Sequence, residues 1–218
     1  MKFGRLIFFL FFCFLLQHSN LSFAQSDTSL TNKLIRMAAS DQKAIMHPPT
    51  GYELGTSNYE RYTDSVFESH YNIVKKIFTK YGFPGYRLVG KDGAKSFWLI
   101  VQHCDKWPKF QEKVLRKMRH EVLNNNASGE NYAFLVDRVR KNKGEKQVFG
   151  TQVSFDITKS QAHVKDLEDP EHVNQRRTSV GLESLESYLN RMSINHYNMN
   201  KKVYQKKGIK GPTLYQVN

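Results

Sequence analysis

Nine consecutive residues, Phe97-Trp98-Leu99-Ile100-Val101-Gln102-His103-Cys104-Asp105, set the strongest constraint on how this chain can fold. The run opens with five apolar side chains and closes on an amide, an imidazole, a thiol and a carboxylate. A segment this apolar belongs in a core. Burying Gln102, His103 and Asp105 beside it costs about 1–3 kcal/mol per group unless each finds a partner. The polar segments available to supply partners lie downstream, in Asp137-Arg138 and Gly150-Thr151-Gln152. His103, Asp137, Arg138 and Gln152 are therefore expected to converge.

Around this run, apolar residues recur at helical spacing and Gly, Pro, Asn and Asp mark the breaks. Leu30, Leu34, Met37, Ala38 and Ile45 predict a first helix to about Met46, closed by His47-Pro48-Pro49, with Asp41-Gln42 on a solvated face. Tyr62, Val66, Ile73, Ile77 and Tyr81 predict a second helix, capped by Asn58 and stopped by Gly82 and Pro84. Residues 85–93 read as a turn-rich link, after which Asp92 caps a central helix from about Ala94 to His103. Asp105 is placed to cap the next helix, with Pro108 tolerated in its first turn. That helix buries Phe110, Val114, Leu115, Met118 and Val122, and a further one spans about 131–139. Phe149, Thr151, Val153 and Phe155 then alternate with polar residues and Gly150, the period of a strand, which can pair with residues 163–167. Asp169-Pro170 opens another helix, and Leu182, Leu185, Leu189 and Met192 line the last. The fold class is mainly α: one helical domain over residues 25–192 with a small β-hairpin near 147–167.

The N-terminus bears on compartment. Lys2 and Arg5 precede an apolar run from Leu6 to Leu16 and a polar stretch ending Ser22-Phe23-Ala24. This is the pattern of a secretory signal peptide cleaved after Ala24, and the apolar run is shorter than the roughly 20 residues a membrane span takes. Export to the periplasm or medium is the expectation, and Cys104 is then the single cysteine left, with no internal disulfide available. Its neighbours Ile100 and Val101 favour burial over reactivity.

A net charge of +13 points to an anionic neighbour as a matter of general attraction. Residues 193–218 lack apolar periodicity and accumulate lysines, so they read as a basic polar tail, poorly ordered unless Tyr197, Tyr204 or Tyr215 docks, and suited to an anionic membrane or wall surface. Lys113, Arg116, Lys117 and Arg119 form a basic helix face. No aromatic residues interleave with them, which argues against nucleic acid.

Gln102-His103-Cys104-Asp105, Asp137-Arg138-Val139, Gln147 with Gly150-Thr151-Gln152, and Asp169-Pro170 followed by Arg176-Arg177 and Val180-Gly181-Leu182 together resemble the motif series of an uncharacterised bacterial family, a domain of unknown function. The resemblance spans roughly residues 30–190. The family pattern carries a small residue such as alanine at the position of Cys104, a departure that speaks against a nucleophilic cysteine. The resemblance implies no reaction, cofactor or partner.

The residues exclude several chemistries. The chain has no phosphate-binding glycine loop, no Gly-x-Ser-x-Gly elbow, no His-Glu-x-x-His and no Cys-x-x-Cys pair, and nothing in it calls for a cofactor or metal. Two readings of the polar set stand side by side. In one, it is a buried network that fixes the packing of a structural or binding module. In the other, His103 is a general base or acid oriented by Asp137 or Asp105 in a hydrolase-like enzyme. Gln102, Arg138, Thr151, Gln152, Arg176 and Arg177 would then bind the substrate, the arginines holding its anionic group.

Overall fold

The computed structural model describes residues 27–217, so the predicted leader at residues 1–24 lies outside the described residues. The chain is mainly α-helical. Helices α1 (Thr28–Met46), α2 (Ser57–Tyr81), α3 (Tyr86–Gln102), α4 (Pro108–Leu123) and α5 (Gly129–Asn142) form the larger body. A short antiparallel hairpin follows, β1 (Ser154–Asp156) with β2 (Gln161–His163), in the register Ser154 to His163 and Asp156 to Gln161. A 3-10 turn (Pro170–His172), α6 (Val173–Ser179), α7 (Leu185–Met199) and α8 (Lys201–Lys206) complete the chain. No helix among the described residues is long and apolar enough to cross a membrane.

The predicted central run is the axis of the main core. Phe97, Ile100 and Val101 are fully buried and pack with Leu34 of α1, Val74 of α2, Val114 and Met118 of α4, and Leu135 of α5. At about 25 cal/mol per Å² of apolar surface, each such side chain contributes about 1.5–3 kcal/mol. A smaller core lies between the hairpin and α7, where Ala162, Tyr188 and Leu189 are buried against Phe155, Val164 and Tyr215. Phe134 of α5 links the two cores, meeting Trp98 edge-on from one side and Tyr188 from the other.

Local caps explain most helix starts. Asp27, Thr56, Ser128 and Ser184 each accept a backbone N–H of the first turn, the role small polar side chains fill at N-termini. Two predicted caps are displaced. Thr56 rather than Asn58 caps α2, and Trp107 stands at the start of α4 with Pro108 next to it while Asp105 is engaged elsewhere. The central helix also starts earlier than predicted. Residues 86–93 are helical, with a kink at Gly90, whose φ of 68° is open to glycine and strained for other residues.

The hairpin is shorter than the sequence alternation suggests. Residues 149–153 are not strand, because their backbone N–H groups turn inward to a side chain instead of a neighbouring strand. Gly150 has φ of 67°, and a Cβ there would come within 3.1 Å of Leu185 Cδ1.

The C-terminal segment takes the docked alternative, through the three tyrosines named from the sequence. Residues 193–217 dock. Ser193 Oγ accepts from Ala162 N at 2.8 Å, Tyr197 and Tyr204 are buried, and Tyr215 OH donates to Ala162 O at 2.9 Å. Asn190 holds the Tyr215 backbone from both sides, its Oδ1 accepting at 2.7 Å and its Nδ2 donating at 2.9 Å. Truncation after Asn200 removes Tyr204 and Tyr215, and is expected to destabilise the fold by about 2–4 kcal/mol, read as a lower urea midpoint. An unchanged midpoint would show that the segment contributes nothing.

Candidate functional site

Three helices deliver the site. On α1, Asp41 lies on the apolar stripe with Leu34, Met37, Ala38 and Ala44, and it is fully buried rather than on a solvated face. On α2, the buried stripe is Thr63, His70, Val74 and Ile77; of the predicted face Ile77 is buried as expected, Tyr62, Val66 and Ile73 are half-buried beside the stripe, and Tyr81 is exposed. This phase puts His70 inward. His103 caps the C-terminus of α3, where Pro108 forces the chain to turn.

Asp41 holds both imidazoles. Its Oδ2 is in close hydrogen-bond contact with His103 Nδ1, and its Oδ1 lies 3.2 Å from His70 Nδ1. An ionised carboxylate can only accept, so each Nδ1 carries the proton and donates. Burial alone would push the Asp41 carboxyl up, but the bonds from His103 and His70 outweigh it and hold the group below the ordinary carboxylate range. His103 stacks on Phe67 with ring centroids 4.9 Å apart, which fixes its plane.

The outer ring atoms differ. Neither His70 Nε2 nor His103 Nε2 bonds to any described protein group, and neither is among the sealed unpaired polar atoms, which are Gln111 Oε1 and Arg177 Nη2. The His103 side chain is 16% exposed and reaches the surface, whereas that of His70, at 9%, is buried. With Nδ1 protonated, a neutral ring presents a basic lone pair at Nε2.

The remaining predicted residues fall into two other networks. Asp105 does not orient His103. It accepts two bonds from Arg138, from Nε at 3.0 Å and Nη2 at 2.6 Å, one from Asn142 Nδ2 at 2.8 Å and one from Gln111 Nε2 at 3.1 Å. It thus ties the end of α3 to α4 and α5; its partial burial would push the carboxyl up, but these donors, Arg138 foremost, outweigh it and hold the group below the usual carboxylate range. Gln102 is buried, and its amide oxygen accepts from Trp98 Nε1 at 3.0 Å. The same oxygen accepts from Leu135 N at 3.1 Å, which ties α3 to α5.

Asp137 also serves elsewhere. Fully buried, it accepts from Val148 N at 2.7 Å, Phe149 N at 3.1 Å, and Thr151 N and Oγ1 at 2.8 and 3.0 Å. Gln152 Nε2 donates to Thr151 Oγ1 at 3.2 Å, and Gln147 closes the loop by bonding the Gln152 backbone in both directions at 2.9 Å. Arg176 Nε donates to Val148 O at 2.9 Å. Arg177, 1% exposed, donates to Phe149 O and Glu183 O and lies over the Tyr188 ring. Of the three predicted substrate arginines, Arg176 and Arg177 thus clamp Val148 and Phe149, and Arg138 is engaged by Asp105. Asp137 and Gln152 do meet through Thr151, but no described hydrogen bond joins them to His103 or Arg138. The expected four-residue convergence does not occur.

Sequence reasoning missed His70 and assigned Asp41 outward. The signal was there in each case: a polar residue standing at an i, i+3, i+4, i+7 position of an otherwise apolar stripe. Cys104 is 1% exposed, and burial, with the Asp41 and Asp105 charges nearby, pushes its thiol up to about 12. That leaves it protonated and inert. Among the described residues, no group of three or more His, Cys, Asp or Glu side chains is arranged to hold a metal ion.

No curated protein and no solved structure matches this chain. Residues 28–202 match a family of unknown function, DUF6624, a span that takes in α1 to α7 and with them Asp41, His70, His103, Asp105 and Asp137. With most of its length matched, the chain belongs to the DUF6624 family.

Proposed function

We propose that the Asp41–His70–His103 cluster is a general acid–base site, and that the protein is an enzyme of hydrolase type. The observation that supports this reading is the orientation of the two imidazoles. One buried carboxylate fixes both rings through Nδ1 and leaves both Nε2 atoms without a partner among the described residues, His103 being the more exposed ring. A histidine so held keeps one tautomer and presents its base in a fixed direction. His103, the more exposed ring, takes the proton from a water or hydroxyl nucleophile at Nε2. Asp41 stabilises the imidazolium that forms, and the same Nε2 then returns its proton to the leaving group, which restores the neutral ring, while His70 holds the second carboxylate oxygen of Asp41 in place.

The reading of the cluster as a packing device rests on a different observation, the complete burial of Asp41. The two separate in one variant. With activated carboxyl and phosphoryl esters as substrates, His103→Ala is expected to lower turnover about 10²–10⁴-fold, the usual contribution of a positioned acid or base. Stability should fall by about 1–3 kcal/mol in either reading, because Asp41 Oδ2 loses its donor, so turnover separates the two. Equal turnover in wild type and variant would return the cluster to a packing role.

A further inference from the structure

A groove of about 1080 Å³ lies between α2 and α4, away from His70 and His103. Its bank is cationic. Lys75, Lys109, Lys113, Arg116 and Lys117 line it, all exposed, and none of the five enters an ion pair among the described residues. The one carboxylate in the lining, Glu121, is held by Asn126 Nδ2 at 2.6 Å. The floor is aromatic, made by Tyr71, Phe78, Phe83 and Phe110.

The arrangement of charge and rings narrows the occupant. Four of the cations, at 109, 113, 116 and 117, run along α4 at helical spacing over about 12 Å. A ligand with one anionic head would engage only one end of such a stripe, whereas a linear partner with repeated negative charge matches it along its length. The rings do not offer faces for stacking. One face of Tyr71 is covered by Trp107, stacked at 3.9 Å, and Lys75 lies over the ring as well. Phe78 and Phe110 meet edge to face at 5.7 Å, and Phe83 meets Phe97 likewise at 5.6 Å. Bases of single-stranded nucleic acid bind through open aromatic faces, which this floor lacks. Aliphatic side chains need only the apolar edges it presents. The volume also exceeds the roughly 300–1,000 Å³ of small-molecule sites.

We infer that the groove between α2 and α4 docks an acidic amphipathic helix of a partner protein, its apolar stripe on the ring floor and its carboxylates along the lysine–arginine bank. This is the helix-in-groove mode of recognition, in which anchors at i, i+3, i+4 and i+7 enter an apolar trough. The inference does not rest on the acid–base reading of the Asp41 cluster.

The test uses the whole chain and a fluorescein-labelled 15-residue peptide with glutamate every three to four positions opposite a leucine–phenylalanine stripe. Fluorescence anisotropy is expected to show saturable binding that a scrambled peptide of the same composition weakens at least tenfold. The triple variant Lys113→Glu, Arg116→Glu, Lys117→Glu, all at exposed positions, should weaken it at least tenfold as well. The inference is overturned if scrambling or charge reversal leaves binding unchanged, or if the patterned peptide does not bind. It is also overturned if a 20-residue thymidine oligonucleotide or phosphatidylglycerol vesicles bind more tightly than the peptide in a manner abolished by the same triple variant.

Discussion

Asp137→Ala is expected to destabilise the fold by about 4–5 kcal/mol. The carboxylate accepts three backbone N–H groups and one hydroxyl from residues 148–151, with no exposure to water. A bond to a charged group contributes about 1.5–3 kcal/mol, and each donor stripped of its acceptor while buried adds its own desolvation cost. These terms are not additive, but they place the variant in the upper tail of single substitutions. Arg177 adds to the effect, since the Asp137 charge is one of those that favour its buried guanidinium. Urea unfolding measures the loss. In the same variant, amide exchange at Val148, Phe149 and Thr151 should accelerate more than exchange in the core of α3. A loss below about 1 kcal/mol would mean that the 147–152 loop holds its shape without the carboxylate.

At Asp41 the expected result has two parts. Asp41→Ala removes the acceptor of two buried imidazole N–H groups and should cost about 3–5 kcal/mol, the range for deleting one partner of a buried charged pair. Asp41→Asn should cost less, but its amide can accept from only one Nδ1–H, so the other ring must change tautomer. The second part is pH dependence. The folded Asp41 and Asp105 carboxyls both lie below their ordinary values. Above about pH 4, where the unfolded groups are also ionised, their stabilisation is fully present. As pH falls further, the unfolded chain takes up protons first, and the stabilisation is lost as pH passes through the folded values. Unfolding free energy measured from pH 6 down to pH 2 should therefore fall along an acid limb, and Asp41→Asn should make that limb shallower. An acid limb of equal slope in variant and wild type would contradict the role assigned to Asp41.

How much of this was legible in the sequence depends on which physical signal carried it. The helices were, because apolar spacing and Gly-Pro breaks are local. The core around Phe97, Ile100 and Val101 was legible for the same reason. The phase of α2 was not, because a stripe through Tyr62, Val66 and Ile73 and one through Thr63, His70 and Val74 both run into Ile77, so the apolar spacing accepts either. That choice hid His70. Periodicity also says nothing about which helices are neighbours. Asp41 reaches His103 because α1 packs along α3, two helices apart in sequence. The 149–155 alternation misled because a carboxylate and a positive-φ glycine, rather than strand pairing, organise residues 147–152. In the C-terminal segment, Tyr197, Tyr204 and Tyr215 were legible as docking candidates, but Tyr197 and Tyr204 lie on separate helices, α7 and α8, so no single periodicity announced that they dock.

The central claim, that one carboxylate orients two imidazoles through Nδ1 and frees both Nε2 atoms, has a direct measurement. Long-range ¹H–¹⁵N correlation spectra of the histidine rings report which nitrogen carries the proton. For His70 and His103 in the neutral state the account predicts protonated Nδ1 and bare Nε2, with one of the two rings switching in Asp41→Asn. Bare Nδ1 on either ring of the wild-type protein would contradict it, because an ionised Asp41 cannot donate the hydrogen bond that tautomer requires.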